Sequence, residues 1–200
     1  PSAHGVVTTF NRLYPRGDIL GFHLGDFPDP NWVIHNHWQG VTRLAAGTGQ
    51  YMIVTQDEVK DDHGNARAGF AVVRMGSRNE DGERFRSNRL NPVEHVLTTA
   101  PPAQDLIVHK EIIPSSYVHP GSAQTLGQLM AVGVDREVHL YTLAVPESPY
   151  YLGQILDREG KTGSSTAMAQ LQDGRYLVVV AGSKADTLDF YVSYLPNSYA

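Results

Sequence analysis

Arg175-Tyr176-Leu177-Val178-Val179-Val180-Ala181, followed by Gly182-Ser183-Lys184-Ala185-Asp186 and then Thr187-Leu188-Asp189-Phe190-Tyr191-Val192, decides the fold. Five to seven residues of Val, Leu, Tyr and Phe, a polar turn and a second such run spell an antiparallel hairpin. The first arm is apolar on both faces, as in a strand stacked between sheets. The second alternates, with Leu188, Phe190 and Val192 on one face and Asp189, Tyr191 and Ser193 on the other, the pattern of a more peripheral strand. Ser164 to Leu171 and the turn at Asp173-Gly174 supply a further strand before the hairpin.

Two earlier segments follow the same plan. His119 to Leu126 leads into Gln128 to Val134, a turn at Asp135-Arg136-Glu137, and Val138 to Leu143. His37 to Leu44 leads into Gln50 to Thr55, an acidic loop at Asp57 to Asn65, and Gly69 to Val73. In each copy a small-residue segment ending in Leu (Leu44, Leu126 or Leu171) precedes an apolar strand, a turn and another strand. Leu126 and Leu171 are spaced like a four-stranded propeller unit of ~40–45 residues, with Tyr151 to Leu156 as the outer strand between them. The interval from Leu44 is about double, and holds either one unit with insertions around Gly76 to Asn91 or a second unit that includes Val93 to Thr98 and Asp105 to Ile112.

On these segments the chain resembles β-propeller repeat proteins over roughly two-thirds of its length, without the Trp-Asp or double-glycine signatures of named propeller families. The expected architecture is all-β, a β-propeller or part of one built of four-stranded antiparallel blades, with a β-sandwich as the alternative. Residues 1–200 read as a single repeat domain or as a fragment of a larger propeller. Val6 to Phe10 or Ile19 to Leu24 are candidates for completing a last blade.

Composition limits the chemistry. The chain of 200 residues has no cysteine, which removes disulfides, thiolate nucleophiles and iron–sulfur clusters. Its 16 basic and 21 acidic residues give a formal charge of -5 without a basic patch, so nucleic acid is not an expected partner. The apolar runs are strand-sized, far below the ~20 residues of a spanning helix, so no membrane span is expected. No signal peptide is visible, and the chain is expected to be soluble, cytoplasmic or secreted after processing.

The densest chemistry is Trp32-Val33-Ile34-His35-Asn36-His37-Trp38-Gln39-Gly40. In an extended run His35 and His37 share a face two residues apart, a spacing that holds a metal ion when a third ligand joins them. His119 takes the place of His37 in the repeat, so both are expected near a shared central opening. The leading expectation is therefore a binding module with His37, Trp38, Gln39 and His119 at the ligand. The ligand would be a small molecule, a glycan or a protein, and the expectation includes no cofactor.

The rival is a hydrolase or oxygenase with a metal on His35, His37 and His119, joined by His23, His95 or His109. A third expectation is a scaffold that self-assembles, or associates with further blades, through open strand edges. Gly160-Lys161-Thr162 lacks the upstream glycine of a phosphate loop and reads as a turn. Ser164 and Ser165 lack a nucleophile elbow. Asp57 to Asn65 does not follow a calcium-loop order and reads as a solvated hairpin tip. The Tyr150-Tyr151 pair is expected to be partly exposed.

Overall fold

The computed structural model describes residues 38–44, 51–61, 63–75, 106–158, 160–163, 165–182 and 187–194. They form eleven strands and no helix: β1 (Trp38–Leu44), β2 (Tyr51–Lys60), β3 (Ala66–Arg74), β4 (Leu106–Ile112), β5 (Pro120–Leu126), β6 (Leu129–Val134), β7 (Glu137–Thr142), β8 (Tyr150–Asp157), β9 (Ser165–Gln170), β10 (Tyr176–Ala181) and β11 (Leu188–Val192). The protein is all-β, and no helix among the described residues is long and apolar enough to cross a membrane.

Three antiparallel sheets result, each a meander in chain order: sheet I is β1-β2-β3-β4, sheet II is β5-β6-β7-β8, and sheet III is β9-β10-β11. The turn residues follow from backbone sterics. Leu126 pairs with Leu129 across a two-residue turn that needs a positive φ, supplied by Gly127 at 58°. Val134 pairs with Glu137 across Asp135-Arg136, where Asp135 takes φ 44°, a region that Asp tolerates better than most residues.

The sheets stack on their apolar rows. Leu44, Ile53, Phe70, Val72 and Ile113 meet Met130, Val132, Val134, Tyr141 and Leu143, closing sheet I on sheet II. The Phe70 and Tyr141 rings pack edge to face at 5.0 Å. On its other face sheet II presents Ala131, Val138 and Leu156 to Val178 and Val180 of sheet III. A third cluster, Val54, Val59, Ala71 and Val73, lies on the face of sheet I turned from sheet II.

The first strands of successive sheets lie against each other, β1 on β5 and β5 on β9. Hydroxyls mark these seams: Thr42 and Thr125 Oγ1 atoms are 3.3 Å apart, and Ser122 Oγ is 3.2 Å from Thr166 Oγ1. Leu44 and Leu126 end β1 and β5, and Leu171 directly follows β9.

Three expectations are corrected. The acidic loop does not begin at Asp57, which lies within β2 and is 2% exposed. The turn is confined to the end of that hairpin, where Asp61 Oδ1 accepts the N–H groups of His63 and Asn65. Leu106–Ile112 is not part of a separate unit but the fourth strand of sheet I, paired with β3. The first arm of the deciding hairpin, β10, is not equally buried on its two faces: Val178 and Val180 are buried against sheet II, whereas Leu177, Val179 and Ala181 on the other face are half-buried. Val6 to Phe10, Ile19 to Leu24 and Val93 to Thr98 lie outside the described residues.

Candidate functional site

The beginnings of β1 and β5 lie side by side because the chain removes side-chain bulk where they meet. A Cβ on Gly40 would stand 3.1 Å from Ser122 Cα and 3.2 Å from Ala123 N. Thr55 of β2 ties the two strands together: its Oγ1 accepts the Gly40 N–H at 2.8 Å and donates to the Pro120 carbonyl at 3.1 Å. Thr55 is fully buried, so this hydroxyl satisfies backbone groups that water does not reach.

One turn of the pleat further along β2, Asp57 points to the same side and gathers two of the residues singled out in the sequence. Gln39 Nε2 donates to Asp57 Oδ2 at 3.1 Å, and His119 Nδ1 lies 3.5 Å from the same oxygen. His119 is also held by its backbone. Asp135 Oδ2 accepts the N–H groups of Val118 and His119, each at 3.2 Å, and the Asp135 N–H donates back to the His119 carbonyl at 3.1 Å.

The result is a fixed main chain with an imidazole at its tip, its side chain 51% exposed. With Nδ1 turned toward Asp57, Nε2 is the nitrogen left to meet a ligand. Trp38, the first residue of β1, is exposed and pairs with Gln56 of β2. A carboxamide, a buried carboxylate and an exposed imidazole together suit a ligand with hydroxyl or amide groups.

Of the expected ligand contacts, Trp38, Gln39 and His119 are thus brought to one end of the β1–β5 seam. His37 and His35 lie outside the described residues. For the metal set, only His119 is described, and no group of three His, Asp or Glu among the described residues could hold a metal ion. Of the further histidines, His109 is described and pairs with Glu111 at 2.9 Å on its own strand β4. Ser165 lies in β9, and the Lys161 N–H donates to the Arg158 carbonyl in a turn. Tyr150 is exposed and Tyr151 half-buried.

Sequence reasoning missed Asp57, although alternation held the signal: Ile53, Thr55 and Asp57 are alternate residues of one extended run, all buried. It also missed a second polar group inside sheet II. Glu137 Oε2 accepts from Ser115 Oγ at 2.8 Å and from His139 Nε2 at 3.0 Å, and Tyr151 Oη lies 3.3 Å from His139 Nδ1. The order differs from a catalytic triad, because the serine bonds the carboxylate and not the imidazole. This network fastens the β4–β5 connection to β7 and β8. Burial pulls the His139 pKa below the ordinary histidine value, against the opposing pull of Glu137.

No protein-family model matches the chain, and no curated protein matches it in sequence.

Proposed function

We propose that the three sheets are successive blades of a β-propeller and that the chain is a binding module. Its ligand lies over the beginnings of β1 and β5, against Trp38, Gln39 and His119. The supporting observation is the convergence of Gln39 and His119, far apart in sequence, on the single buried oxygen Asp57 Oδ2. A ligand that hydrogen-bonds to His119 Nε2 would find that imidazole held in place before it arrives, which lowers the ordering cost of binding. The stacking of first strand on first strand supports the propeller reading, since it sets the polar seam strands inside and the later strands outside.

The test starts from glycan and peptide arrays and proceeds to the affinity of the strongest hit. His119→Ala and Gln39→Leu are each expected to weaken it by about tenfold or more, equivalent to ~1.4 kcal/mol, in protein that remains folded at the assay temperature. A hit indifferent to both substitutions would remove this site as the ligand's place. Elemental analysis separates the rival: metal bound one per chain and lost in His119→Ala would replace the binding module by a histidine metalloenzyme.

A further inference from the structure

Gln39 and His119 each turn a nitrogen toward the same carboxylate, and that decides what they offer a ligand. A carboxylate only accepts hydrogen bonds, so the Gln39 carboxamide meets Asp57 Oδ2 at 3.1 Å through an Nε2–H. Its Oε1 is then the end turned from that oxygen, a carbonyl with two lone pairs for accepting. The same logic fixes His119. Its Nδ1 lies 3.5 Å from Asp57 Oδ2, where a proton is attracted by the carboxylate and a bare lone pair is repelled. A neutral imidazole carries one proton, and with that proton on Nδ1 the Nε2 of this half-exposed side chain is an acceptor.

A second carboxylate stands at the main chain of His119. Asp135 Oδ2 accepts the N–H groups of Val118 and His119, each at 3.2 Å. Asp57 and Asp135 both take N–H groups of neutral partners here, so their negative charge acts on whatever approaches His119, in a chain whose formal charge is -5. Hydroxyl, ammonium and guanidinium groups can all donate to a pair of acceptors. Two carboxylates beneath that pair favour the donors that carry positive charge.

We propose that the ligand of this site is a cation, a protonated amine or guanidine, that donates to His119 Nε2 and Gln39 Oε1. The inference rests on the ligand site at Gln39 and His119 and narrows its chemistry. A carboxylate or phosphate would face two acceptors and two like charges, and is disfavoured on both counts. A neutral hydroxyl satisfies the acceptors and gains nothing from the charge. The same donor chemistry is carried by a lysine or arginine side chain of a peptide and by a free polyamine.

The experiment uses the full chain with isotope-labelled histidine at about pH 8, above the ordinary histidine range. Long-range proton–nitrogen spectra, with the His119 signals assigned by their loss in His119→Ala, are expected to show Nδ1 protonated and Nε2 bare. Acetyl-arginine amide, its neutral isostere acetyl-citrulline amide, and spermidine are then titrated. The two cations should shift Nε2 saturably, citrulline should bind about tenfold more weakly or worse, and Gln39→Leu should weaken both cations about tenfold. The tighter of the two cations assigns the source, peptide side chain or polyamine. A proton on Nε2, or citrulline binding as tightly as arginine, overturns the cation and leaves the binding site standing. A neutral glycan or an anion whose binding depends on His119 and Gln39 has the same meaning. Absence of a saturable shift with either cation also overturns the proposal, and the site itself falls only if the array hits ignore both residues as well.

Discussion

His139 shows how one buried titratable group couples this fold to pH. The side chain is fully buried, and both ring nitrogens are matched in the neutral form, with Nε2–H donating to Glu137 and Nδ1 accepting from Tyr151. The other groups near it are Tyr141, whose hydroxyl burial pushes well above the ordinary tyrosine range, and Tyr151, raised by burial and then by Glu137. A folded-state histidine pKa below the unfolded value means that the unfolded chain binds the extra proton first. The stability that His139 contributes is therefore present above ~6.5 and is lost as pH falls from there toward the depressed folded value. The urea midpoint of the wild type is expected to fall between pH 7.5 and 5, and that of His139→Gln to fall less over the same interval. Carboxylates with lowered pKa, such as Asp189 held by Lys161 and Arg158, act on stability only below the ordinary carboxylate range, so the two contributions separate on the pH axis. Equal slopes in the two proteins would mean that His139 is not the group responsible.

At the scale of strands, the sign of a glycine substitution reports how closely the elements approach. Where backbone conformation allows alanine, Gly→Ala stabilises by about 0.4–1 kcal/mol by restricting the unfolded chain. Gly40 in β1 and Gly133 in β6 have no positive φ, so conformation alone predicts that gain. Contact predicts the reverse. A Cβ on Gly40 meets the β5 backbone, and one on Gly133 falls inside contact distance of the Gly163 carbonyl oxygen. Gly40→Ala is expected to destabilise by about 1–3 kcal/mol and Gly133→Ala by at least as much, because its obstacle is closer and is also backbone. Denaturant titration decides it, and a stabilised Gly40→Ala would show that β1 and β5 are further apart than described. These close approaches were not legible in the sequence. The strands themselves were, because Leu177 to Ala181 and Met130 to Val134 are bounded by turn residues and too short for helices. A glycine in a strand, by contrast, looks the same whether it faces solvent or a neighbouring backbone.

Across the whole molecule, the recurring small-residue segment ending in Leu was the strongest sequence signal, and its leucines fall at the last residues of β1 (Leu44) and β5 (Leu126). What it could not supply was pairing at a distance. Asp57 looked like part of a charged tip because its neighbours Glu58, Asp61 and Asp62 are acidic, and only the stacking of sheet II on sheet I brings His119 to it. Arg158 is a similar case. In sequence it is one charge beside a turn, yet it is fully buried, with Nε donating to Asp189 at 2.9 Å, and Asp189 also receives Lys161 Nζ at 3.1 Å. This pair and the short apolar cluster of Ala131, Val138, Leu156, Val178 and Val180 hold sheet III to sheet II, whereas sheets I and II share the larger cluster around Phe70 and Tyr141. Fewer buried side chains mean a lower free energy for local opening. Sheet III is therefore expected to open before the other two. In native-state hydrogen exchange, the amides of β9 and β10 should exchange through a sub-global opening below the free energy that exposes β2, β3 and β6. Val180→Ala should lower that opening by about 1 kcal/mol and leave exchange from β3 governed by the common global step. Identical opening energies in all three sheets would show instead that the II–III junction is as cooperative as I–II and that Arg158 and Asp189 contribute more than their exposed partner Lys161 suggests.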